Sequence, residues 1–206
     1  MSISSTRIKA LGILALLVLM SVGVYQCNYK LSLWADYRDR PWAYNRDKDA
    51  PLLVGTWQGS FTDPDGISKS IEMEIVEPLT DKERRKKANR SHRRRTRGGL
   101  GGRKEKRIFD GVATVTSKLG TERYVLSGSV KEDDYHQFKL GFGAEDEAKR
   151  LQPNFCLNLA DSGHWDADQL RFRTGFAYFT AQGSSFSDSS DPRHDYTTLV
   201  ILNRKK

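Results

Sequence analysis

The sequence predicts an all-β protein: an eight-stranded antiparallel up-and-down barrel preceded by one N-terminal transmembrane helix. Three observations predict it. From residue 51 onward apolar residues recur at every second position, the period of a half-buried strand. Eight such stretches fit into about 155 residues with short polar turns between most of them. Residues 8–25, IKALGILALLVLMSVGVY, form the one long apolar run. Eight antiparallel strands with one apolar face each suit a closed barrel, because closure removes exposed edges. A two-sheet β-sandwich is the alternative arrangement of the same strands.

The strands follow in order. VGTWQGSF (54–61) sets Gly55, Trp57, Gly59 and Phe61 on one face, and TDPDG turns the chain. KSIEMEIVE (69–77) has the cleanest alternation, with Ile71, Met73 and Ile75 against Glu72 and Glu74. RIFDGVATVTS (107–117) leads through Leu119-Gly120 into ERYVLSGSVK (122–131), which presents Tyr124, Leu126 and Val130. DYHQFKLGFG (134–143) offers Phe138, Leu140 and Phe142, and NFCLNLA (154–160) offers Phe155, Leu157 and Leu159. DSGHWDAD reads as a polar turn before QLRFRTGFAYFT (169–180), where Leu170, Phe172, Phe176 and Tyr178 share a face. DYTTLVILNR (195–204) is the last strand. One short soluble helix is expected around AEDEAKRL (144–151).

The N-terminal run has two readings. In one, residues 1–27 are an uncleaved anchor in a cytoplasmic membrane, with Arg7 and Lys9 on the cytoplasmic side and the C-terminal domain extracytoplasmic or periplasmic. In the other they are a signal peptide cut after the small residues Ser21 and Gly23, and the protein is secreted. Apolar Val24 and Tyr25 continue past the cut and favour the anchor. Cys27 is not expected to be a lipidation site, since Val24-Tyr25-Gln26 stand where small residues normally precede such a cysteine. Cys27 and Cys156 are not expected to pair, one lying beside the membrane and the other within a strand. Residues 28–50 read as a linker whose Trp34, Tyr37, Trp42 and Tyr44 sit either at the bilayer interface or against the domain's flank.

Charge is concentrated in one place. Residues 82–107 hold 14 Lys or Arg against two Glu, a formal +12 in a chain whose total is +8, so the remainder stands at −4. The segment is a basic hairpin insertion in a barrel domain spanning 51–206. Its residues Arg84, Arg85, Lys86, Lys87, Arg93, Arg94, Arg95 and Arg97 are the candidates for binding an anionic surface, either acidic phospholipid or an envelope polymer. The alternative is a solvated loop with no specific partner. Aromatic residues for base stacking are missing from 82–107, so specific nucleic-acid binding is not expected. Gly98–Gly102 lacks the Lys-Ser or Lys-Thr of a phosphate loop and reads as a hinge, and Asn89-Arg90-Ser91 is an isolated glycosylation sequon.

Gly55-Thr56-Trp57, at the head of the first strand of an eight-stranded pattern, resembles the Gly-x-Trp signature of lipocalins and the wider calycin group. The resemblance implies a barrel whose base is closed by Trp57 packed against an arginine late in the last strand, here Arg204, and whose mouth is open to an apolar or amphipathic ligand. The inward Phe138, Phe142, Phe172 and Phe176 would contact that ligand, with plain core packing as the alternative. The family's Thr-Asp-Tyr motif is not in place; His194-Asp195-Tyr196 falls on the final strand.

Catalytic and metal chemistry is not indicated. Asp161, His164, Asp166 and Asp168 are the densest set of metal-ligand residue types, but neither a calcium-loop nor a zinc spacing is present. His136 reads as a core or rim residue. Ser189, Ser190, His194 and Asp195 make a triad only on paper, without a nucleophile elbow. The expectation is therefore a non-enzymatic, cofactor-free envelope binding protein tethered to a membrane. A structural or interaction subunit with a filled barrel, binding another envelope protein, is the alternative.

Overall fold

The computed structural model describes residues 5–47, 49–90, 106–183, 185–186 and 191–205. They fall into two compact units, one holding residues 5–39 and 79–90 and the other residues 40–78 and 106–205.

The first unit is helical. Helix α1 runs over Ser5–Asp39 and continues about four turns beyond the apolar run, because residues 26–39 contain neither Gly nor Pro. Pro41 stops it, since the residue before a proline is pushed out of helical geometry. Its Gly12–Asp39 part is long and apolar enough to cross a membrane, and Ile13, Leu17, Leu19 and Val22 are all exposed. Helix α2, Asp81–Arg90, replaces the loop expected for the first part of the basic insertion. Thr80 and Glu83 form a capping box: the Thr80 hydroxyl accepts from the Glu83 amide at 3.3 Å, and the Glu83 carboxylate accepts from the Thr80 amide at 3.1 Å. Arg84 is buried against Asp36 of α1 at 3.0 Å.

The second unit is the closed antiparallel eight-stranded barrel. Its strands are β1 (Gly55–Thr62), β2 (Ser68–Ile75), β3 (Ile108–Ser117), β4 (Gly120–Val130), β5 (Gln137–Ala144), β7 (Leu159–Asp166), β8 (Gln169–Thr174) and β11 (Thr198–Arg204). They close in the order β1-β11-β8-β7-β5-β4-β3-β2. β6 (Asn154–Leu157), β9 (Phe176–Phe179) and β10 (Ser185–Phe186) form a separate three-stranded sheet, with β9 in the middle.

Four sequence expectations change here. NFCLNLA is not one barrel strand: all four residues of β6 are buried, so it has no solvent face, and the chain changes sheets at Asn158. DSGHWDAD is mostly strand, because β7 runs to Asp166 and the turn shrinks to the next two residues, with Ala167 at φ 46°. QLRFRTGFAYFT divides at Gly175 into a barrel strand and a strand of the small sheet. The helix expected near 144–151 is a single 3-10 turn, Glu147–Lys149.

Register fixes the two ends of the barrel. Trp57 pairs with Arg204 and Met73 at the base, and Trp165 with Leu170 lies at the same end. Trp42 and Tyr44, from the stretch expected as linker, are buried in the barrel unit. Trp42 donates to the Lys106 carbonyl at 3.3 Å and packs on Phe109, whereas Trp34 of α1 is exposed. At the opposite end, Phe155, Leu157 and Phe176 of the small sheet are buried, and the Phe61 ring of β1 lies 6.1 Å from Phe176. The mouth expected to be open is covered by a sheet.

Candidate functional site: the barrel interior and a buried polar cluster

Alternation points Trp57 inward at the head of β1, and it is fully buried. Its indole Nε1 donates to the Leu53 carbonyl at 2.9 Å. The Arg204 guanidinium lies over the ring at 4.2 Å from the centroid, an attraction between cation and ring face. The same guanidinium donates to the carbonyls of Val54, at 3.1 Å, and Leu52, and pairs with Asp168 at 3.2 Å. Burial pulls its pKa down and the Asp168 carboxylate opposes that shift. Trp57 and Arg204 are thus brought together at the base.

The four phenylalanines divide between two places. Phe138, Phe142 and Phe172 line the barrel, 2%, 9% and 1% exposed, while Phe176 belongs to the covering sheet. Phe142 packs on Phe172 at 5.8 Å and edge-on to Tyr124 at 6.0 Å, and Phe109 packs edge-on to Phe138 at 6.1 Å. The wall is thinned to admit these rings. A Cβ on Gly163 would meet the Phe138 ring at 2.3 Å, and one on Gly128 would meet Phe109 at 2.2 Å.

The anion-binding candidates are also split. Arg84 is not available to an outside surface: it is 4% exposed and paired with Asp36, a correction forced by its place on the packed face of α2. Arg85 and Lys86 are exposed, and the Arg85 guanidinium lies 5.9 Å from the Tyr29 ring. The side chain of Lys87, and all of Arg93, Arg94, Arg95, Arg97 and the Gly98–Gly102 hinge, lie outside the described residues, as do Ser189 and Ser190. His194 packs edge-on to Phe155. His136 lies on Trp165 at 4.6 Å, with Nδ1 3.0 Å from the Trp165 carbonyl oxygen. Among the described residues no group of three or more His, Cys, Asp or Glu is placed to hold a metal ion.

The covered end holds a buried polar cluster whose ionisable members sit on the inward phase of their strands. Lys69 stands on β2 in phase with inward Ile71, Met73 and Ile75, and it is 2% exposed. Its ammonium is 2.7 Å from Asn154 Oδ1, 2.5 Å from the Phe155 carbonyl oxygen and 3.1 Å from Asp63 Oδ2. Asp63 Oδ1 accepts from the amides of Asp65 and Ile67 in the β1–β2 turn, while its buried Oδ2 accepts no well-aligned hydrogen bond and faces the ammonium. Glu122 stands on β4 in phase with Tyr124 and Leu126. Its Oε2 accepts from Asn154 Nδ2 at 2.8 Å and from the Tyr124 hydroxyl at 2.9 Å, and its Oε1 accepts from the Leu151 amide at 3.1 Å. Cys156 offers its thiol to the same carboxylate at 3.5 Å. Burial, then the Glu122 charge, pushes the thiol pKa up to about 11, and burial also drives the Tyr124 phenol well above its usual value. A recess of about 210 Å³ opens beside Glu122 and Tyr124, rimmed by Arg123, Lys149 and Arg150.

No protein-family model matches the chain, and no curated protein matches it. Among solved structures, the chain is similar to a de novo designed fluorescence-activating β-barrel, at 12% identity and a TM-score of 0.36. The match covers 74% of this chain and 93% of that one.

Proposed function

We propose that the protein is a non-enzymatic interaction subunit of a cell envelope, held at a membrane by α1 and working through the outside of a filled barrel. The observation that carries this reading is the packing of Phe138 and Phe172: both rings are at most 2% exposed and are clasped by other aromatic rings inside the barrel. At eight strands the interior is either filled by side chains or holds one small ligand, and these clasped rings favour the first. The covering sheet of β6 and β9 supports the same reading over that of an open-mouthed, lipocalin-like carrier of an apolar or amphipathic molecule.

The outer wall supplies the surface. A groove of about 810 Å³ runs across β1, β2 and β3, lined by Gln58, Ser60, Ser70, Glu72 and Glu74 among others. Its polar and acidic lining does not suit the apolar chain of a lipid. In this reading the barrel lies outside the cytoplasm and the exposed cations of the basic insertion meet anionic headgroups or an envelope polymer.

Native mass spectrometry of the full chain, extracted gently from membranes, tests it. The expected result is an apo mass for the protomer, or a complex with a second protein. A stoichiometric extra mass from a lipid-sized molecule would overturn the filled-barrel reading in favour of the carrier.

A further inference from the structure

The buried cluster at the covered end places an amine against a carboxamide between two carboxylates. We propose that Lys69 and Asn154 join autocatalytically in an intramolecular amide bond, tying barrel strand β2 to strand β6 of the covering sheet.

Four observations lead to this chemistry. The nucleophile already donates to the carboxamide it would attack, with Nζ 2.7 Å from Oδ1 beside the electrophilic carbon. Both are shielded from water, Lys69 at 2% and Asn154 at 3% exposure, so hydrolysis does not compete. A base is in reach, because Asp63 Oδ2 lies 3.1 Å from Nζ and, among the described residues, accepts no well-aligned hydrogen bond. The leaving nitrogen is held in place, because Asn154 Nδ2 donates to Glu122 Oε2 at 2.8 Å. Two amide-forming partners held this way replace a bimolecular encounter by a positioned one.

The step balances without a cofactor or co-reactant. Asp63 takes one proton from the Lys69 ammonium and leaves the free amine. The Nζ lone pair attacks Asn154 Cγ, the new C–N bond forms, and the carbonyl pair moves onto Oδ1. A second proton passes from Nζ to Nδ2 across the tetrahedral centre while Glu122 holds Nδ2 in place; the pair on Oδ1 returns to re-form the carbonyl as the Cγ–Nδ2 bond breaks, and ammonia leaves. Ammonia then takes the proton held by Asp63, which regenerates the carboxylate and releases ammonium. Nothing is oxidised or reduced. Other placements explain the cluster less fully: a purely structural Lys69–Asp63 pair would not require Glu122 behind the far nitrogen of Asn154.

Peptide mapping of the full chain, freshly purified and after prolonged incubation, decides the matter. The expected result is a branched tryptic peptide joining the Lys69 and Asn154 segments, lighter than the two linear peptides together by one ammonia, about 17 Da. Trypsin would not cut after Lys69. Linear peptides for both segments, with cleavage after Lys69, would overturn the proposal, as would an ammonia loss mapped to any other site. Asp63→Asn and Glu122→Gln preserve the shapes of the two side chains. Each should slow bond formation on the order of a hundredfold in protein that circular dichroism shows to be folded. An unchanged rate in both folded variants would overturn the assigned chemistry.

Discussion

Arg204 shows how much one residue can hold in a small barrel. It stacks on Trp57, satisfies two backbone carbonyls that precede β1, and pairs with Asp168. Arg204→Ala removes all of these together, and the loss in unfolding free energy should be about 2–4 kcal/mol, read from the urea midpoint. Arg204→Lys should recover only part of it, because an ammonium lacks the planar fork that serves the two carbonyls at once. Gly163 is a residue defined by its neighbour: a methyl group there meets the Phe138 ring at 2.3 Å. Gly163→Ala should destabilise by about 1–3 kcal/mol. Adding Phe138→Leu should cost less in the Gly163→Ala background than in the native one, a coupling that a double-mutant cycle measures.

At the scale of elements, α2 is specified locally at its start and by packing along one face. Thr80-Asp81-Lys82-Glu83 is a Thr-x-x-Glu capping box legible in the sequence, although the dense positive charge that follows it favours a solvated loop. Thr80→Ala should weaken α2 by about 1 kcal/mol, seen as faster amide exchange at residues 83–86 with the barrel's exchange unchanged. Lys69 and Glu122 were legible in the same way. Each sits in phase with three or two apolar residues of its own strand, and an ionisable residue on an inward phase signals a buried polar network. The division of NFCLNLA and QLRFRTGFAYFT between two sheets was not legible. A strand buried on both faces reads like any short apolar run, and the alternation carries no mark of which neighbour it will pair with.

For the whole molecule, the covered end links stability to alkaline pH. The Cys156 thiol has its pKa raised from 9.0 to about 11 in the folded protein. Between those values the unfolded chain holds fewer protons than the folded one, so stability falls as pH rises. The contribution of the neutral thiol is complete below about pH 9 and lost by about pH 11, an effect on the order of 2–3 kcal/mol. The raised Tyr124 pKa acts in the same direction beyond pH 10. Urea midpoints should therefore drop across pH 9–11, and Cys156→Ser should flatten the first part of that drop. A midpoint independent of pH over this range would contradict the buried thiol–carboxylate contact.

The sequence by itself determined the antiparallel strand-rich class, seven of the eight barrel strands, the apolar N-terminal helix and the inward phase of Trp57, Phe138, Phe142 and Phe172, because period and length are local properties written in residue order. Tertiary structure decided what those faces meet. It folded β6 and β9 over the mouth, buried Arg84 on Asp36, and carried Asn154 across 85 positions of chain to Lys69. Such contacts depend on which strands pair around the closed sheet, and that pairing is fixed by burial and backbone hydrogen bonding summed over the whole barrel rather than by any one stretch of it.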